Sequence, residues 1–306
     1  MHRTDSYYEI GSSHLDCQDY SASNSEILNI HPEEEHFSVG MVSDGCSSSH
    51  AICGQTDIGA RLITMSAMAN RLEIYDDINT MRFEPEKKRY VGNMIAHDVL
   101  SDIDDYQRMM DLDPYAYDAT LGIAAMTNDK ALVVTFGDVD FVVKTDKSTI
   151  WYSVIFESGA PYYLNYMKNL DRKHAYEDQF SKYPVNVKRT VLEGDAEIGP
   201  ICLSLGNTPE EIMKNNMFFF SGVESVTIFT DGIRSFFQND NGKETPVPTE
   251  TVIRELTNFK NLNGRFAVRR FKMFEKRVMK KNNWSHFDDL GFAVIHNSGN
   301  DQEKTS

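Results

Sequence analysis

Three aspartates stand where apolar runs end or begin. Asp44 closes "FSVGMVSDG", Asp231 closes "SVTIFTDG", and Asp288 leads into "DDLGFAVI". One Asp-Gly pair is an ordinary turn dipeptide. Repeated at separate strand ends, the pattern points to carboxylates brought together where strands lie side by side. Carboxylate oxygens without His or Cys companions suit hard cations such as Mg²⁺ or Mn²⁺ rather than Zn²⁺. Gly45, directly after the first aspartate, lets an ion or its waters approach the backbone and offers its carbonyl as a further ligand.

Such carboxylates need rigid mounts, and the chain supplies candidates. "CQDYSASN" and "HFSVGMVSD" read as two strands joined by an acidic loop, "ILNIHPEEEH", whose carboxylates beside Pro32 mark a solvated turn. Ile58, Leu62, Met65, Ala69 and Leu72 recur at fours and threes and predict one apolar helix face; Ile95, Val99, Ile103 and Tyr106 predict a second. "TLGIAAM", "ALVVTF", "DFVVKT" and "TIWYSV" predict four strands in an antiparallel meander. Residues 158–216 carry no clear period and read as irregular with helical pieces. After Asp231 a helix is expected to start, and a later helix places Ala267, Phe271, Phe274 and Val278 on one face. Arg269, Arg270, Lys272, Lys276, Arg277, Lys280 and Lys281 lie elsewhere on it, a solvated surface by default and an anion- or nucleic-acid-binding surface by the sharper reading, which the overall charge opposes. One domain over 1–297 with a polar tail at 298–306 accounts for the chain.

Composition narrows the partners. Asp+Glu 46 against Lys+Arg 31 gives a formal charge of −15, a field that opposes nucleic acid and anionic lipid, so no nucleic-acid or membrane partner is expected. An anionic substrate would have to be drawn by something local, such as bound cations. The N-terminus has no leader-type apolar core, and Cys17, Cys46, Cys53 and Cys202 lack paired metal spacing, which together predict a cytoplasmic protein with free, mostly buried thiols. No His-and-Asn pattern supports Cys46 as a nucleophile, and no Gly-rich phosphate loop is present.

The ordered set "CQD", "SDG", "GD", "FTDG" and "DDLGFAVI", spread over nearly the whole chain, resembles the type 2C family of metal-dependent serine/threonine protein phosphatases. The opening "GSSHLDCQD" is most similar to a bacterial subgroup with an S-H…C-Q-D start. The resemblance implies an α+β fold: two packed antiparallel β-sheets flanked by helices, with a variable flap near the site within about 158–216. It implies that Asp44 bridges two Mn²⁺ or Mg²⁺ ions, that the Gly45 carbonyl binds the second, and that Asp231 and Asp288 complete the first. Asp19 would hold metal-bound water, and Asp138 would bind a weaker third ion. His14 stands where many members place a phosphate-binding Arg. Cys46 replaces a frequent His, and Ser235 stands where a second third-ion carboxylate is expected.

The implied activity is hydrolysis of phosphoserine or phosphothreonine in a protein substrate, by a water bridging the two cations. Two rivals stand beside it: a pseudophosphatase that regulates a partner through binding, and a two-metal phosphohydrolase of small phosphoesters. Tyr162, Tyr163 and Tyr166 are read either as substrate contacts or as local core.

Overall fold

The computed structural model describes residues 2–30, 33–46, 56–76, 88–128, 130–194 and 201–298. The apolar, β-branched runs form the inner strands of two antiparallel sheets. One sheet has five strands in the order β10-β5-β4-β3-β2: β2 is Tyr20–Ile30, β3 Glu33–Ser43, β4 Leu121–Thr127, β5 Lys130–Phe136 and β10 Met217–Ser221. The other has seven, in the order β1-β15-β11-β6-β7-β8-β9: β1 is His2–Glu9, β6 Asp140–Thr145, β7 Ser148–Phe156, β8 Val185–Gly194, β9 Ile201–Gly206, β11 Val223–Phe229 and β15 Leu290–Asn297. A small sheet joins β12 (Phe236–Asp240), β13 (Lys243–Pro246) and β14 (Trp284–His286).

Helices cover both outer faces. On the five-stranded sheet lie α1 (Thr56–Ala69), its continuation α2 (71–76) and α3 (Lys88–Met110). Their side chains join the residues between the sheets in one core that includes Ile63, Ala67, Ile95, Val99, Met41, Ile123 and Ile228. The segment that follows β7 forms α4 (Leu170–Phe180) and, beyond β9, α5 (Pro209–Asn215). On the seven-stranded sheet, α6 (Thr249–Thr257) and α7 (Phe266–Phe274) close a second core in which Val252, Ile253, Phe266, Phe271 and Phe274 meet Val142, Trp151, Phe229 and Phe292. The predicted α+β architecture of two packed sheets between helical layers is the observed one. Among the described residues no helix is long and apolar enough to cross a membrane.

Several sequence expectations change. Most of the acidic loop is strand: Ile27 to Ile30 pair with Glu33 to His36 across β2 and β3, and residues 31–32 lie outside the described residues. The predicted meander is split, because β5 lies in one sheet and β6 in the other. Gly137 makes that crossing at φ +98. A side chain there would be strained by that backbone angle and would meet Thr120 Cγ2 at 2.7 Å. The helix expected after Asp231 is a single 3₁₀ turn, Asp231–Arg234. The described part of residues 158–216 holds the expected helical pieces, a 3₁₀ turn at Leu164–Met167 and two α-helices, together with two sheet strands that the sequence did not suggest.

The first helix is rotated from its predicted face. Ala60, Ile63, Thr64 and Ala67 point inward, whereas Met65 is 50% and Leu72 41% exposed. Small residues at 60 and 67 allow close approach to the sheet, which an apolarity count cannot register. The second helix matches its prediction at Ile95, Val99 and Ile103. Of the cysteines, Cys17 and Cys46 are free and half-buried; Cys53 and the 299–306 tail lie outside the described residues.

The rotation has a direct consequence for stability. Ile63→Ala is expected to cost about 2–5 kcal/mol and Met65→Ala no more than about 0.5 kcal/mol. Urea unfolding of the two variants checks this, and a larger loss at Met65 would restore the predicted face.

Candidate active site

The predicted aspartates gather where the two sheets meet. Asp44 leaves the end of β3, held by paired backbone contacts: its N–H donates to Thr120 Oγ1 (3.0 Å) and its carbonyl accepts from Thr120 N–H (2.9 Å). Ser43 Oγ donates to the Thr120 carbonyl at 2.5 Å. Gly45 is fixed by its N–H to the Gln18 carbonyl at 3.2 Å, which brings the "CQD" segment alongside. Asp231 opens the 3₁₀ turn after β11, and Asp288 precedes β15. Gly232 lets that turn pack directly against the start of β15, since a Cβ would lie 1.6 Å from the Asp289 carbonyl oxygen. Asp138 follows the Gly137 crossing.

Asp19, 4% exposed, accepts from Thr230 Oγ1 at 2.6 Å. That hydroxyl in turn accepts from Gly291 N–H at 2.9 Å, so Asp19 is tied to both β11 and β15.

Electrostatics set these residues apart. Burial, then repulsion from Asp19, Asp231 and Asp138, holds the Asp44 carboxyl well above the usual carboxylate range. Asp231 is raised for the same reasons, with Asp138 and Asp288 as its repelling neighbours. Burial pushes Asp19 up to about 7 against the Thr230 hydrogen bond. Asp138 goes to about 6, burial and repulsion outweighing the nearby Arg234. Burial also raises Asp288, with His14 opposing. The Asp138 Oδ1 atom is buried with no hydrogen-bond partner, an acceptor that a cation would satisfy. Among the described residues no three Asp, Glu, His or Cys side chains form a ready-made ion cage; what sets the cluster apart is the raised proton affinity of its carboxyls.

Three residues that the sequence reading gave no site role, two of them (Asp118 and Asp289) next to motifs it did use, organise the site. Asp289, 2% exposed, accepts from Gly11 N–H (2.7 Å) and Gln18 N–H (2.6 Å), and so locks the loop between them onto β15. Arg234 donates through Nε to Asp140 Oδ2 (2.7 Å) and through Nη2 to the Val154 carbonyl (3.0 Å), while Trp151 Nε1 donates to Asp140 Oδ1 (2.8 Å). Its charge is thus largely committed to Asp140, leaving the aspartate cluster under-neutralised. Asp118 receives Arg172 bidentately, one contact at 2.7 Å, with the guanidinium between the Tyr115 and Tyr166 rings at 4.5 and 4.6 Å. The Asp118 carbonyl accepts from Cys46 N–H at 2.8 Å, so α4 is pinned to the loop bearing Asp44. An Asp-Gly signal draws attention to one carboxylate; the signal available for Arg234 was its place three residues after Asp231.

His14 lies beside the cluster, with Nδ1 2.9 Å from Asp289 Oδ2 and Nε2 3.7 Å from Asp288 Oδ1. Burial works against its charge, but Asp289 and Asp288 prevail and raise its pKa. Ser235 is a local cap whose hydroxyl donates to the Gly232 carbonyl at 2.8 Å. Burial raises the Cys46 thiol, against a nucleophilic role. Tyr162 is 2% exposed and packs on Tyr166 and Tyr176, a core residue; Tyr163 is half-buried and lies beside Cys46.

The model of the Protein phosphatase 2C family matches residues 10–267. The chain belongs to that family of phosphatases. Similar solved structures include the S. agalactiae serine/threonine phosphatase, at 11% identity and TM-score 0.47, covering 97% of this chain and 99% of that one. RsbX in complex with magnesium is similar at 12% identity and TM-score 0.40, over 96% and 94% of the two chains. PppA, a key regulatory component of T6SS in Pseudomonas aeruginosa, is similar at 14% identity and TM-score 0.42, over 96% and 97%. No curated protein matches the chain.

The raised carboxylates make a stability prediction. Asp19 titrates near 4 when unfolded and near 7 when folded, so the folded state holds the extra proton across that window and stability falls as pH rises through it. His14, raised when folded, also loses its contribution as pH rises, so the signs agree. In EDTA, Tm is expected to fall between about pH 5 and about pH 8. Asp44→Asn removes one repelling charge and should raise Tm at the upper pH by roughly 2–4 °C, the effect of about 1 kcal/mol in a large domain. A Tm that is flat or rises over this range would contradict the assignment.

Proposed function

We propose that this phosphatase hydrolyses phosphoserine and phosphothreonine in proteins with two Mn²⁺ or Mg²⁺ ions. The supporting observation is the cluster of Asp19, buried, with half-buried Asp44, Asp231, Asp288 and Asp138, mutually repelling, beside an Arg234 guanidinium that is already paired with Asp140. Asp44, Asp231, Asp288 and the Gly45 carbonyl would hold the pair of ions, and Asp138, through its unpartnered Oδ1, a weaker third. Bound there, the ions would lower the pKa of water and offset charge on the phosphoryl oxygens.

The chain's own groups do the rest. Asp19, hydrogen-bonded by Thr230 and adjoining Asp44, is placed to take a proton from the attacking water. With Nδ1 of His14 2.9 Å from Asp289 Oδ2, its Nε2, beside Asp288, would donate to a phosphate oxygen when the imidazole is protonated. Asp289 acts through the loop it fixes, keeping His14 and Asp19 in register with β15. The two-sheet scaffold keeps these groups from relaxing apart under their own repulsion.

EDTA is expected to abolish phosphopeptide hydrolysis and Mn²⁺ to restore it. Asp231→Asn should lower kcat by at least about two orders of magnitude with the fold retained by circular dichroism, since it removes a negative oxygen ligand. Full turnover by the metal-stripped protein would defeat the mechanism. Faster turnover of nucleotides than of phosphopeptides would redirect the substrate assignment while leaving the metal chemistry in place.

A further inference from the structure

Away from the aspartate cluster, the end of α6, the loop that follows and α7 enclose a cavity of about 400 Å³. Phe259, Phe266, Met273, Phe274 and Val278 supply its apolar surface. Lys260, Arg269 and Arg277 stand exposed at its edge. Glu255, the acidic residue of the lining, is taken by Arg270 at 2.8 Å. Arg269 donates to the Asn261 carbonyl at 3.1 Å, and among the described residues no carboxylate pairs with Lys260, Arg269 or Arg277 within ion-pair distance. A concentration of unneutralised cations around an apolar hollow is unexpected in a chain of formal charge −15.

Two further observations bear on what fits. A second cavity, of about 330 Å³, shares Glu255, Asn258 and Phe259 with the first, so the two adjoin around the C-terminal end of α6. The second cavity is lined mainly by polar groups, with Glu193 beside Arg254 at 3.7 Å, so an elongated occupant would set its apolar part in the first cavity and polar groups in the second. The wall bearing Arg277 and Val278 is a π-helical turn, Glu275–Met279, that interrupts the helical run; such turns are costly departures from α geometry and cluster at functional sites. The lining combines Phe, Met and Arg, side chains enriched in protein interfaces.

We propose that this trough docks an acidic peptide segment of another protein, with an apolar pair seated in the first cavity and flanking carboxylates on Lys260, Arg269 and Arg277. The peptide would lie along the helical layer of the seven-stranded sheet, and the trough shares no residue with the aspartate site. Docking there adds a recognition element that the phosphoryl group cannot provide, and it is independent of the catalytic reading. The elongated shape and the apolar floor distinguish this surface from a general polyanion patch, for which charge alone would suffice.

The test uses the full chain in EDTA, so that binding is read without turnover. The probe is a fluorescein-labelled peptide, DEDLFDEDE, followed by anisotropy. Saturable binding is expected, and the double variant R269E/R277E should weaken it by at least about tenfold, as reversal of two facing charges does. A peptide with Ser-Ser in place of Leu-Phe should also lose most of its affinity. The variant's turnover of p-nitrophenyl phosphate with Mn²⁺ should match that of the unaltered protein, separating this face from the catalytic one. Unchanged binding by a folded R269E/R277E protein would overturn the proposal. Equal binding of the Ser-Ser peptide, with displacement by single-stranded DNA, would do so too, by making the face a general polyanion surface.

Discussion

Repulsion among closely set, at least half-buried carboxylates is the constraint on which the rest of this structure depends. Asp44, Asp138, Asp231 and Asp288 adjoin Asp19, and each is pushed toward its neutral form by burial together with its neighbours. A flexible chain would relieve that stress by letting the side chains part. Here each is attached to the end of a strand or to the short link between strands, and those strands are fixed by the packed core beneath. The site therefore stores an electrostatic deficit that positive charge from outside can offset.

The surroundings preserve that deficit. Arg234 enters the neighbourhood, but Asp140 and the Val154 carbonyl hold its guanidinium, and Trp151 secures Asp140 from the other side. His14 is similarly occupied by Asp289. Thr230 and Thr120 spend their hydroxyls on fixing Asp19 and the Asp44 backbone. These hydrogen bonds orient the acids without cancelling their charge. The Arg172–Asp118 pair, flanked by Tyr115 and Tyr166, extends the same rigidity to α4, so the chain between β7 and β10 is anchored to the loop that carries Asp44.

Much of this was legible in the sequence where local pattern and function coincide. Asp44 and Asp231 each follow a β-branched run, and a strand ending in Asp-Gly is visible without neighbours. The strands β4 to β7 were equally plain, yet the sheet to which each belongs was not: nothing in a period of two says that the chain changes layers at Gly137. β1, "HRTDSYYE", is polar enough to escape notice, because its pairing with β15 at a sheet edge is specified by backbone hydrogen bonds more than by apolarity. β8, "VNVKRTVLEG", is mixed for a similar reason, lying near the far edge. The inward face of α1 is lined partly by Ala and Thr, whose value lies in closeness rather than hydrophobicity. Asp289 and Arg234 matter through partners remote in sequence, and such contacts become visible only once the strands are in register.

The central claim is that this cluster, protonated in part when alone, exchanges its protons for divalent cations. Calorimetric titration of the metal-free protein with Mn²⁺ at about pH 6, repeated in buffers of different ionisation enthalpy, counts the protons released on binding. The account predicts net release of roughly one proton or more per chain, declining as pH rises above the Asp19 value of about 7. Saturating Mn²⁺ binding with no proton release, or no binding at all, would contradict it.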